Sequence, residues 1–143
     1  MTIHNRLVTA FAAVAALATV APAQAQDHLI ARVPFEFAVG NANLPSDTYR
    51  VSRMNGHPDM VFVRSDRRGA LIRTDRVSLP RDGSTPSLMF HRYGDQYFLR
   101  QIRWDETGRL DLPESKAEHN AAERRGDRAA VRMETVIVTA GQR

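Results

Sequence analysis

Leu29-Ile30-Ala31-Arg32-Val33-Pro34-Phe35-Glu36-Phe37-Ala38-Val39 alternates along its length, with apolar side chains at every odd position and Arg32, Pro34 and Glu36 among the even ones. Successive side chains of an extended strand point to opposite faces, so a period of two with one apolar face predicts a half-buried β-strand. Pro34 has no N–H to give to a ladder, which predicts that this strand lies at a sheet edge or is bulged there. A strand of this kind needs partners, and the chain supplies them on its C-terminal side.

Gly40-Asn41-Ala42-Asn43 and Leu44-Pro45-Ser46-Asp47 are turn residues, and Thr48 to Met54 alternates again with Tyr49 and Val51 on one side. Asn55-Gly56-His57-Pro58-Asp59 signals another turn, followed by a short strand over Met60 to Arg64. Arg67-Arg68-Gly69 leads into a strand over Ala70 to Leu79, and the segment Pro80 to Pro86 reads as a loop. Ser87 to Tyr93 and Gln96 to Trp104 are strongly β-prone and flank Gly94-Asp95, which predicts a two-residue hairpin turn with glycine at the first central position. The pattern then changes. Pro113 to Arg125 is rich in Ala, Glu and Arg and predicts a helix over about 114–125, with acids leading, arginines ending and Gly126 as its cap. Its apolar side is alanine only, so it is expected as an appendage rather than a second layer. Val131 to Thr139 closes the chain as a β-branched strand.

Seven strands and one helix predict an all-β domain, a small antiparallel barrel or sandwich of about six to eight strands. Its expected core holds Phe35, Phe37, Tyr49, Phe62, Phe90, Phe98 and Trp104.

The N-terminus has another character. Arg6, the apolar run Leu7 to Val20 and the triplet Ala23-Gln24-Ala25 have the order of a secretory signal peptide over residues 1–25. The run falls short of the roughly 20 apolar residues that cross a bilayer, so cleavage rather than stable membrane insertion is expected. Residues 26–143 are then a single β-rich domain, exported to the periplasm or secreted. The 143 residues contain no cysteine, so stability is expected to come from an apolar core without disulfides.

Charge excludes one large class of partner. The chain has 20 basic and 16 acidic residues, and without Arg6 the domain keeps 19 against 16. The charges alternate, as in Arg64-Ser65-Asp66-Arg67-Arg68, and form no basic stripe for nucleic acid. The histidines His28, His57, His91 and His119 stand apart without ligand spacing, so no metal is expected, and no cofactor motif is present.

The densest polar and aromatic group is His91, Arg92, Tyr93, Asp95 and Tyr97 at the hairpin tip, which makes them the candidate binding residues. No catalytic residue is assigned. Glu114 and Glu118 are expected to be solvated on the helix. The leading expectation for function is a non-catalytic binding or interaction module whose partner is another protein or an envelope component. The alternatives are a carrier of a small apolar ligand in a barrel cavity, and a hydrolase using His91 with Asp95 across the turn.

Val33-Pro34-Phe35-Glu36-Phe37-Ala38-Val39-Gly40, Leu44 to Val51, Phe90 to Leu99 and Leu112 to Glu118 together resemble a family of small exported bacterial β-rich proteins over most of residues 29–125. Members often carry glycine where this chain has Asp47. The resemblance implies export, one domain and the hairpin. It implies no ligand and no catalytic residue.

Overall fold

The structure is a computed structural model, and it describes residues 28–78, 85–104, 108–126 and 134–142. The expected signal peptide, residues 1–25, and most of the loop before Pro86 lie outside them. Strand predominates, in two antiparallel or mixed sheets with one helix.

The first sheet takes β1 (His28–Val33), β4 (Asp47–Met54), β5 (His57–Arg64), β6 (Gly69–Arg73) and β12 (Gly141–Gln142), in the order β12-β1-β4-β5-β6. The second takes β11 (Glu134–Thr139), β8 (Ser87–Tyr93), β9 (Gln96–Trp104), β10 (Gly108–Asp111) and β7 (Arg76–Ser78), in that order. It also holds β2 (Phe37–Val39), which pairs parallel with β9 through Ala38↔Phe98 and antiparallel with β3 (Ala42–Leu44). Two sheets with a shared core make a sandwich, which decides between the two expected architectures.

Besides the return from β3 to β4 at Pro45-Ser46, three corners carry the chain from one sheet to the other. The expected single strand over residues 29–39 is two strands in different sheets. Pro34 does not bulge an edge strand; it lies outside both strands, where its missing N–H interrupts no ladder. The expected strand over residues 70–79 divides at Thr74-Asp75. Thr74 donates its N–H and its hydroxyl to the Asp59 carbonyl in the first sheet, at 2.7 and 3.1 Å, while the next N–H, of Asp75, goes to the Asp111 carbonyl in the second at 2.9 Å. At the third corner Ala140 gives its N–H to the Pro86 carbonyl at 2.9 Å, between β11 and β12. These divisions, with the short strands β3, β10 and β12 that no sequence signal marked, bring the described strands to twelve rather than six to eight.

The hairpin β8–β9 falls where expected, with Tyr93 opposite Gln96 and Gly94 at φ +65°. L side chains avoid that region, so glycine permits the tight turn.

The core lies between the sheets. Phe37 of β2 meets Tyr49 of β4 edge to face at 5.2 Å, and Phe90 of β8 likewise at 5.2 Å, tying the two inner faces together. Val51, Val61, Leu88, Ile102, Trp104 and Leu110 fill the space around them and are fully buried. The Tyr49 hydroxyl donates to the Pro45 carbonyl at 2.6 Å, and burial pushes its pKa up. Two expected core residues are elsewhere. Phe62 points outward, because its neighbours Val61 and Val63 take the inward positions of β5. Phe98 is buried, but on the outer side of the second sheet, where its ring meets Tyr93 at 5.8 Å.

Candidate functional site

The helix α1 (Lys116–Gly126) rests shallowly on that outer side, and among its described side chains only Glu118 and Ala121 are buried. Ser115 caps it by accepting the Glu118 N–H on its hydroxyl at 3.1 Å. Glu118, expected to be solvated, is buried beneath the helix. Its carboxylate meets His91 Nδ1 at 3.0 Å and the Arg100 guanidinium at 3.4 Å. A buried carboxylate without partners would be prohibitively costly, and these two sheet residues supply them. Burial still dominates: it raises the Glu118 pKa above the ordinary carboxylate value, while Arg100 and His91 pull it down. The Tyr93 hydroxyl is raised as well, first by burial and then by the negative charges of Glu118 and Glu114. The sequence held a signal for this arrangement. Ser115-Lys116-Ala117-Glu118 has the spacing of a capping box, and Glu118 stands one turn before the buried Ala121 on the same helix face.

The hairpin-tip residues do not converge on one surface. His91 and Tyr93 face the helix. Arg92 and Tyr97 turn the other way, with the guanidinium 5.4 Å from the Tyr97 ring and Arg92 Nε donating to the Gly94 carbonyl at 2.6 Å. Tyr97 stacks on Phe35 at 3.9 Å, closing the core at that end. Asp95 is exposed on the turn and borders an open groove of about 360 Å3 with Glu36 and Ala117. The partner of His91 is Glu118, not Asp95.

The outer face of the first sheet is built differently. Cross-strand register sets His28, Ser52, Phe62 and Leu71 in one row, and Ile30, Arg50, Arg64 and Gly69 in the next. Among the described residues no element covers this face. Leu71 is 51% exposed, and the Arg64 guanidinium rests 5.7 Å from the Phe62 ring. Arg50 and Arg64 stand directly opposite each other, and among the described residues neither is ion-paired. They line an open groove of about 480 Å3 with Ile30, Asp47, Thr48, Ser65 and Asp66. Asp47 is already engaged there, by the Thr48 N–H at 2.8 Å and by Arg67 at 3.9 Å.

Among the described residues no group of three or more His, Asp or Glu side chains is placed to hold a metal ion, and no helix is long and apolar enough to cross a membrane. No protein-family model, curated protein or solved structure matches the chain.

Proposed function

We propose that this protein is a non-catalytic binding module, exported to the periplasm or beyond, that meets its partner through the outer face of the five-stranded sheet. One observation carries this: the face groups Ile30, Phe62 and Leu71 with the like-charged pair Arg50 and Arg64, and no described element covers them. Like charges set directly opposite each other in a ladder are destabilising, and apolar side chains left in water gain nothing for folding. A partner carrying both apolar and anionic groups would relieve both costs.

The other readings have less support. A hydrolase would have to use His91 with Glu118, and among the described residues no serine, threonine or cysteine lines the groove that His91 and Arg100 border. For a carrier, the grooves bordered by described residues are open clefts on the surface, while the interior holds Phe37, Tyr49, Phe90 and Trp104.

The test compares capture from an envelope extract by wild type, by the sheet-face variant Phe62→Ala with Arg50→Glu, and by the hairpin-tip variant Arg92→Ala with Asp95→Ala. The sheet-face variant is expected to lose the specific partner and the tip variant to keep it, with both thermal midpoints close to wild type. Equal recovery by all three proteins refutes the assignment of this face.

A further inference from the structure

We infer that the free edge of β6 accepts an extended, acidic segment of a partner protein as an added strand. This rests on the outer face of the first sheet being the binding surface, and it specifies both the partner and the way it docks.

The ladder between β5 and β6 fixes which backbone groups face away. At its two ends the Ser65 N–H donates to the Arg68 carbonyl and the Thr74 N–H to the Asp59 carbonyl, each at 2.7 Å. Directly opposed residues in an antiparallel ladder alternate between hydrogen-bonded and non-bonded pairs. Counting inward from both ends, Val63↔Ala70 and Val61↔Ile72 are the bonded pairs, and Arg64↔Gly69, Phe62↔Leu71 and Met60↔Arg73 the non-bonded ones. The N–H and C=O groups of Gly69, Leu71 and Arg73 therefore point away from β5, to a side where no described strand pairs with β6. Such a row is a template for another polypeptide backbone. Neither a lipid headgroup nor a polysaccharide supplies alternating donors and acceptors at strand spacing, and this singles out a protein segment.

The side chains choose its sequence. A residue of the incoming strand opposite Gly69 enters the row that continues through Arg64 and Arg50. Gly69 keeps that row open, because a Cβ there would stand 3.1 Å from the Cβ of Arg64. Arg64 lies two strand spacings away, roughly 10 Å, which a glutamate and an arginine span between them. Two residues along on the same face, the incoming side chain lies beside Leu71 with Phe62 behind it, and an apolar group fits. Two further along it meets Arg73, which shares its charge with Asp59 at 3.3 Å in an exposed pair. The fitting pattern is acidic, any, apolar, any, acidic.

The probes are a short synthetic peptide alternating threonine with glutamate, valine and glutamate, and the same peptide with lysine for glutamate. They are titrated into the full-length protein and followed by amide hydrogen exchange. The glutamate peptide is expected to bind saturably and to slow exchange at Leu71 and Arg73 by about ten-fold or more, the lysine peptide to do neither, and Arg64→Thr to weaken binding by about ten-fold. Leu71→Pro removes an outward N–H without touching a bond to β5, and is expected to abolish binding while the sheet stays folded. Absence of saturable binding by the glutamate peptide overturns the proposal, as does equal binding of both peptides. Self-association that protects the same amides without peptide assigns the edge to a second copy and overturns it too. Binding that perturbs Phe62 and Ile30 but leaves Leu71 and Arg73 exchanging freely, and survives Leu71→Pro, refutes strand addition while the sheet face stands. Loss of all capture sensitivity in the sheet-face variant removes the face itself.

Discussion

The outer faces of the two sheets began with the same problem and met it differently. Each strand that buries one face leaves another, and on the second sheet that face carries Phe98, Tyr93, His91 and Arg100 under α1. On the first sheet it carries Phe62, Leu71, Arg50 and Arg64 with no described element over them. The helix brings one carboxylate, Glu118, which compensates two cationic or protonatable groups of the sheet beneath it. The bare face has the same ingredients, aromatic and basic, and although Asp47 and Asp66 border its groove, among the described residues no carboxylate is ion-paired with Arg50 or Arg64. On the function proposed above, a partner for the first sheet would supply what α1 supplies to the second, apolar contact and a carboxylate.

The largest expected difference between the faces is in stability. Phe98→Ala removes a buried ring between sheet and helix and is expected to cost about 3–5 kcal/mol. Phe62→Ala, on the bare face, is expected to cost less than about 1 kcal/mol, because its ring is already partly in water. Urea midpoints of the two variants measure this directly. A Phe62→Ala cost as large as that of Phe98→Ala would mean the first sheet's face is covered in solution.

The Glu118 cluster comes next. His91→Ala strips one partner from a buried carboxylate and is expected to cost about 1–3 kcal/mol at neutral pH. Acid sharpens this. The folded pKa of Glu118 lies above its unfolded value, so folding favours the protonated acid. That contribution is fully present below the ordinary value of 4.5 and is lost as pH rises from there through the raised pKa. Glu118→Gln, neutral throughout, should lack this decline, so its stability relative to wild type should improve as pH rises across that window and then level off. Parallel curves for the two proteins, measured by denaturant unfolding at a series of pH values, would remove Glu118 as a proton-linked group.

What the sequence disclosed follows from which signals are local. The hairpin of Ser87 to Tyr93 with Gln96 to Trp104 was legible because alternation and the Gly94 turn both act within a few residues. Pro34 was legible as a disturbance but not as a corner, since the transfer to another sheet depends on where β9 and β4 lie. Phe62 misled for a related reason. Composition gives an aromatic in a β-prone run to the core, whereas register gives the inward positions to Val61 and Val63. Glu118 misled most. Charge and helix propensity predict solvation, against the weaker signal of its spacing from Ser115 and Ala121, and the placement of His91 and Arg100 on a distant strand pair turns it inward. The candidate tip residues were real neighbours in sequence, but strand alternation sends His91 and Tyr93 to one side and Arg92 to the other.

The smallest effect tests whether the bare face is held at a cost to the fold. Arg50 and Arg64 are directly opposed, so Arg50→Thr removes a like-charge contact and places a β-branched residue in a strand. Stability is expected to rise by about 0.5 kcal/mol, and the gain should shrink as added salt screens the repulsion in the parent protein. A residue retained for folding would behave in the opposite way, its loss lowering the midpoint at every ionic strength. If Arg50→Thr destabilises, the arginine pair belongs to the scaffold of the sheet, and the contrast with the helix-covered face loses its functional meaning.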